Sequence, residues 1–336
     1  MRHWRIGLLG LVVSLLAIYL IVSQVDLNRL GVALRTARYE YVLPAALLLV
    51  VGLATRAARW RVLLSGALPL GRAFSITNVS YLVNGLLPLR IGEVARAVLA
   101  NRVTPPVPVL KSASSIIVER MLDLLAVLVL LGFALASGPA LPQEYRSAAL
   151  VTIPLLLVGF GVLVVLASQR RRVEVTLGAL AERVPALQKL NAVARSGHFL
   201  DGLLPLTQPG LLLRALLWTG ASWGLSLAAG YILMFAFYDQ ADWATTALYI
   251  AAAAFVIAVP AVPGNIGTYE WAIILALAAM GLGEPTDPVN VSFAVIVHAL
   301  NLAVYAVMGT LGFVQEGISL GQLTAEAEKL DYKTAS

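Results

Sequence analysis

The sequence predicts an all-α polytopic membrane protein: six full transmembrane helices plus two re-entrant helical hairpins, set in inverted repeats. Three observations predict it. Of 336 residues, 60% are hydrophobic and 12% charged, and several apolar runs reach the roughly 18 residues that mark a transmembrane helix. One further apolar stretch is split by proline into halves too short to cross comfortably, and a second forms a proline-separated pair like it. Finally, Pro88-x-x-Ile91-Gly92 returns as Pro263-x-x-Ile266-Gly267, a shift of 175 residues.

The elements follow in order. Ile6 to Val25 lies behind Arg2 and Arg5. It is long for the apolar core of a signal peptide and no Ala-x-Ala site follows, so a retained first span is expected, with its N-terminus inside. Tyr41 to Leu64 is the second span. Phe74 to Leu87 and Ile91 to Ala100 are expected to form a hairpin folded at Pro88. Thr104-Pro-Pro-Val-Pro108 breaks the chain at the surface. Ser112 to Ala136 is the third span, Gly138 to Pro142 an outer turn, and Ser147 to Ala167 the fourth span. In the polar stretch beyond it, Leu177, Leu180, Val184 and Leu187 recur at helical spacing, as an amphipathic cytoplasmic helix or a solvated linker helix would have them. Leu211 to Tyr238 is the fifth span, Trp243 to Val259 and Gly264 to Gly281 the second hairpin, and Val289 to Phe313 the sixth span.

These elements divide the chain into residues 1–40, 41–137 (span, hairpin, span), 138–210, 211–315 (the inverted repeat) and 316–336, a tail expected to be loose. Charge placement orients them. The stretch from Arg170 to Asp201 holds six basic and three acidic residues, so it is expected on the cytoplasmic side, with both termini there and the protein in the cell membrane. One loop disagrees: Asp26 to Tyr41 should lie outside, yet carries Arg29, Arg35 and Arg38.

Several function classes fall away. There is no cysteine, hence no disulfide, thiolate zinc site or iron–sulfur cluster. His3, His198 and His298 are too scattered to suggest a metal site. No Walker motif and no Ser–His–Asp arrangement is present, so neither an enzymatic activity nor a cofactor is expected. The net charge of +6 comes without an aromatic–basic platform, so no nucleic-acid partner is expected.

The chemistry concentrates at the hairpins. The helix returning after Pro88 would present unpaired N–H groups and the positive end of its dipole at depth, with Arg90 at that terminus. The second hairpin does the same after Pro263, where Gly264 and Gly267 allow close approach. Two helix N-termini and an arginine suit an anion such as a phosphate. Glu93 and Glu270 lie in the first turns of those returning helices. They either cap them or hold Arg90, Arg96, a proton or a cationic headgroup. Glu119 and Asp123 share one face of the third span. A mid-bilayer charge costs about 2.5–3.5 kcal/mol, so they call for cations from other segments. Arg120, about 100° around the same helix, is not expected to serve both. Arg56 and Arg59 are either such partners or residues that snorkel to the interface. His298 and Asn301 form a polar stripe on the sixth span, with proton coupling or core hydrogen bonding as its two roles. The geometric expectation is that Pro88 and Pro263 approach each other, with Arg90 in salt-bridging reach of Glu119 or Asp123.

These residues resemble a known family. Asn84-x-x-x-Pro88-x-Arg90-x-Gly92-Glu93-x-x-Arg96, Glu119-Arg120-x-x-Asp123 and Pro263-x-x-Ile266-Gly267-x-x-Glu270 are similar to the lysylphosphatidylglycerol synthase transmembrane region family, also called flippase-like domain proteins. The resemblance covers roughly residues 5–315. It implies movement of a lipid or lipid-linked substrate with an anionic phosphate headgroup, bound by Arg90, Arg96 and the helix N-termini. In aminoacyl-phosphatidylglycerol synthases this region precedes a soluble synthase domain. These 336 residues hold no such domain, so a stand-alone member is expected and lipid aminoacylation is not implied. A subunit or enzyme of lipid or glycolipid assembly and a small-solute transporter are the alternatives, and a homodimer is compatible with the sequence.

Overall fold

The computed structural model describes residues 26–87, 90–137, 143–183, 192–258, 263–319 and 321–323. Among the described residues there are helices and loops and no strand. The expected first span, the fold point Pro88 and the turn at Gly138–Pro142 lie outside them.

Helix α1 (Leu27–Thr36) starts where the Asp26 carboxylate accepts from the N–H groups of Asn28 and Arg29 at 2.9 and 3.2 Å, satisfying donors that every helix start leaves open. The chain leaving α1 accounts for one charge that broke the loop rule. The Arg38 guanidinium donates to the Tyr238 carbonyl at 2.5 Å and faces Asp239 at 3.6 Å.

Helices α2 (Val42–Leu63), α3 (Leu70–Leu86), α4 (Ile91–Asn101) and α5 (Val109–Ser137) form the first half. Helices α6 (Gln143–Ser168), α7 (Arg170–Arg183) and α8 (Ala192–Leu203) connect it to α9 (Pro209–Met234), α10 (Trp243–Ala258), α11 (Thr268–Ala279) and α12 (Pro288–Glu316). Pro209 and Pro288 open their helices, at a position where the missing N–H would be unpaired anyway.

Among the described residues, four helices are long and apolar enough to cross a membrane: Tyr39–Leu63, Val151–Ser168, Pro209–Met234 and Pro288–Glu316. Helix α5 matches the longest at 29 residues, about 43 Å at 1.5 Å per residue, but carries Lys111, Glu119, Arg120 and Asp123. Helices α3, α4, α10 and α11 have 17, 11, 16 and 12 residues, short of the roughly 20 that a span needs. On α6, Val151, Leu155, Leu157 and Val158 are 63–67% exposed. Such an apolar face is a liability in water and an ordinary lipid-facing surface in a bilayer. The chain is a multi-pass helical membrane protein.

Packing follows a repeated plan. Helix α2 lies along α9; α3 packs on α12, and α10 on α5; α3 pairs with α4, and α10 with α11. Exchanging α2–α5 for α9–α12 maps these contacts onto one another. Glycine permits the closest of them. A Cβ on Gly309 would lie 2.3 Å from the Leu82 Cβ, and one on Gly312 would lie 2.6 Å from the Ser75 carbonyl. Small residues let helix backbones approach where lipid supplies no hydrophobic drive.

Two regions depart from the sequence-based expectation. The tail beyond Gln315 is not loose at its start. Helix α12 runs to Glu316, whose carboxylate takes Arg72 at 2.9 Å and a hydrogen bond from the Ser75 hydroxyl, while Ile318 and Leu323 are buried beside α3 and α4. Among its described residues the polar connector holds two helices, and their deepest packing is on α8, where Leu200 and Leu203 join Val118 and Leu122 of α5. Gly202 makes this possible, since a Cβ there would lie 1.9 Å from the Ser114 hydroxyl. Of the expected stripe, Leu177 and Leu180 sit on α7; Val184 and Leu187 lie outside the described residues.

Gly309→Val is expected to lower the stability of the detergent-solubilised protein by about 1–3 kcal/mol, the usual penalty for overpacking, read as a fall in Tm. At Gly132 a Cβ meets nothing within 4 Å, so Gly132→Ala should hold or raise the Tm. Equal losses in the two variants would contradict the packing described.

Candidate functional site

The two hairpin tips set the geometry. At the first, α3 ends at Leu86 and the chain re-enters at Arg90, whose φ of 57° is left-handed. That conformation costs a non-glycine residue roughly 1–2 kcal/mol. Asn84 then caps the returning helix, its side-chain oxygen accepting from the Gly92 N–H at 2.8 Å. Gly92 is required by space: a Cβ there would sit 2.1 Å from the Ser80 carbonyl and 2.6 Å from the Asn84 oxygen. At the second tip, Gly264, Asn265 and Gly267 all have positive φ. The Glu270 carboxylate accepts from the Gly267 N–H at 2.7 Å and meets His298 Nδ1 of α12 at 2.7 Å. Capping and partnering therefore coexist in Glu270. The tips meet, for a Cβ on Gly264 would lie 3.4 Å from the Gly85 carbonyl.

A charge network stands beside them. Arg96 of α4 grips Glu119 of α5 with two bonds, at 3.0 and 2.6 Å, and stacks its guanidinium 4.1 Å from the Trp60 ring centre. Arg59 of α2 takes Asp123 with two bonds, at 2.6 and 3.3 Å, and lies 3.3 Å from Glu119. The Trp223 ring N–H of α9 donates to Asp123 at 3.0 Å. Fork-to-carboxylate geometry of this kind is the strongest pairing that side chains offer.

Of the two roles left open for Arg59, the structure shows the partner of the buried acids; Arg56 also turns inward, toward Tyr81 and Ser226. Two expectations are corrected here. Arg120 does serve both acids, at 3.1 Å from Glu119 and 3.5 Å from Asp123, because its long side chain folds back along α5; it also reaches Glu93 at 3.5 Å. Arg90 pairs with Glu93 at 3.3 Å, whereas Glu119 and Asp123 are taken by Arg96, Arg59 and Arg120.

Between the tips and this network lies a cavity of about 460 Å³. Of the residues singled out in the sequence, Asn84, Arg90, Arg96, Arg120, Asp123, Gly264, His298 and Asn301 border it. Gly92, Glu93, Glu119, Gly267 and Glu270 stand behind that wall as caps and counter-charges. Pro88 lies outside the described residues, and Pro263 opens the turn at the second tip. Sequence reading missed Tyr81, Trp223, Ser226, Tyr249 and Tyr269, which also border the cavity. A signal existed for two of them: Thr219, Trp223, Ser226 and Gly230 form a polar and small-residue stripe at helical spacing on α9.

The charges do not balance. Arg56, Arg59, Arg90, Arg96 and Arg120 face Glu93, Glu119 and Asp123, five guanidiniums against three carboxylates. Counting the Glu270–His298 pair, the site holds an excess of one or two positive charges, according to the protonation of His298. An arginine-rich cavity thus lies in the middle of an apolar helical bundle.

The match with known families agrees. Residues 7–309 match the family described as lysylphosphatidylglycerol synthase TM region, and the chain belongs to that family. No curated protein and no solved structure matches it.

Removing one partner of a buried ion pair strands the other, at about 3–5 kcal/mol. Glu119→Gln is therefore expected to cost that much in detergent, read by thermal unfolding. In Glu119→Gln combined with Arg96→Gln, the loss should be at least about 1 kcal/mol smaller than the sum of the single losses. Strict additivity would remove Arg96–Glu119 from its place in the network. At the first tip, Asn84→Ala should cost about 1 kcal/mol, the usual loss of an N-cap.

Proposed function

We propose that this protein moves a phosphate-bearing lipid between membrane leaflets, without making or breaking a covalent bond. The observation that carries this is the cavity's two-sided lining. Arg56, Arg90, Arg96 and Arg120 border it together with apolar residues such as Leu49, Leu124 and Ile250. A charged headgroup lodges among the arginines while its chains stay with the apolar wall and the bilayer. Family membership supports a lipid substrate over a small polar solute.

In this proposal α3–α4 and α10–α11 are re-entrant hairpins, inserted from opposite faces, and with the flanking spans they form two inverted repeats. The self-exchanging contact plan supports that arrangement, as do the short hairpin helices. Discontinuous helices meeting near the midplane, with their N-termini aimed at an anion, are a recurring transporter design. The protein would sit in the cell membrane with six full spans and both termini cytoplasmic, and the hairpins would open the cavity to one leaflet and then the other.

Reconstitution tests it. Vesicles containing the protein and a headgroup-labelled phospholipid should expose inner-leaflet label to a membrane-impermeant quencher faster than empty vesicles. Ala254→Trp, which fills the cavity from its wall, should slow that exposure at least tenfold. If the wild type moves no labelled lipid while product forms in detergent from a lipid precursor, the assembly-enzyme alternative replaces transport.

A further inference from the structure

Arg56 differs from the other arginines that border the cavity. Arg90, Arg96 and Arg120 each have a carboxylate within 3.5 Å. Arg56 points its guanidinium at neutral oxygens, the Tyr81 hydroxyl at 3.1 Å, the Ser226 hydroxyl at 3.2 Å and the Tyr305 hydroxyl, and lies 5.4 Å from the Tyr81 ring centre. The acid nearest in function, Asp123, is already taken by Arg59, Arg120 and Trp223. Among the described residues no carboxylate pairs with Arg56.

The hydroxyls around it lack acceptors in the same way. Ser226 gives its proton to the Ser222 carbonyl at 3.0 Å and so accepts from Arg56. Tyr81 also accepts from Arg56 and keeps its own proton, which finds no acceptor among the described contacts. Tyr249, 1% exposed, borders the cavity with a buried hydroxyl that has no hydrogen-bond partner. That hydroxyl lies against Gly230, where a Cβ would come within 2.2 Å of it. Gly230 is four residues after Ser226, about one turn along α9, so these groups line one strip of wall. A guanidinium held by hydroxyls but by no carboxylate, and two hydroxyl protons without an acceptor among the described contacts, suit an oxyanion. A buried donor left unpaired costs about 1–3 kcal/mol, and a buried unpaired charge costs more.

We propose that the substrate phosphate docks on Arg56, with Tyr81 and Tyr249 donating to its oxygens, and that Arg90 and Arg96, committed to their carboxylates, shape the site without binding it. This rests on the lipid-transport proposal for the substrate and goes beyond it in naming the binding group. The shared chemistry is a phosphate monoester or diester, whether on a lipid or free.

The test is binding to the full chain in mild detergent, by titration calorimetry. The probes are dioctanoyl phosphatidic acid, dioctanoylglycerol and inorganic phosphate. Wild type should bind the phosphatidic acid at least tenfold tighter than either other probe. Arg56→Gln should lose at least tenfold for phosphatidic acid and leave dioctanoylglycerol unchanged. Arg56→Lys, which keeps the charge, should recover most of the loss and guards against a folding defect in the glutamine variant. Arg29→Gln, on an exposed helix, should match wild type. If Arg56→Gln binds phosphatidic acid like wild type, the Arg56 assignment fails and lipid transport stands. If inorganic phosphate binds in an Arg56-dependent way and the lipid does not, Arg56 stands and the lipid proposal fails. If no probe binds wild type, both fail.

Discussion

A carboxylate buried in an apolar bundle has to be matched by charge, and Glu119 is matched by three arginines from three helices. Arg59 comes from α2, Arg96 from α4 and Arg120 from α5 itself. At 1% exposure, Glu119 has no water to fall back on. The network therefore fixes the short returning helix α4 against the long α5 and fixes α2 against both. Asp123 extends it to α9 through Trp223. Remove that junction and the first hairpin keeps its apolar packing around Val79, Val83, Val98 and Leu99 and its asparagine cap, but loses its ion-pair tie to α5.

The second half solves the same problem with less charge. Where α4 is tied to α5 by Arg96 and Glu119, α11 is tied to α12 by Glu270 and His298. The acid sits on the returning helix in one half and on the following span in the other. Both halves cap the return from within, through Asn84 in one and Glu270 in the other. The halves thus share a plan while differing in charge, and the positive excess falls on the side of Arg56 to Arg120. The cavity between the two halves is bordered by Arg56, Arg90, Arg96 and Arg120 together with apolar residues such as Leu49, Leu124 and Ile250.

Much of this was legible in the sequence because punctuation in a membrane protein is chemically loud. Proline, glycine and buried charge interrupt apolar runs only where structure requires it, so helix boundaries such as Ile91–Asn101 and Pro288–Glu316 fell within a few residues of expectation. Family membership was legible for the same reason. Pairing was not. A guanidinium reaches several ångströms in any direction, so nothing in the spacing separates Arg59, which pairs with Asp123, from Arg56, which pairs with no acid among the described residues. Arg120 was misjudged because helical-wheel angles describe Cβ directions and ignore a side chain that folds back. The docked start of the tail was illegible because its anchor, Arg72 with Ser75, lies 241 residues from Glu316 in the case of the serine.

Function turns on whether the cavity holds a phosphate-bearing lipid. Native mass spectrometry of the protein, released from the gentlest detergent that keeps it folded, reads this directly. The account predicts one phosphate-bearing lipid retained per chain. Chains that retain only neutral lipid, or carry none while vesicles of the same preparation still exchange labelled phospholipid, would contradict it.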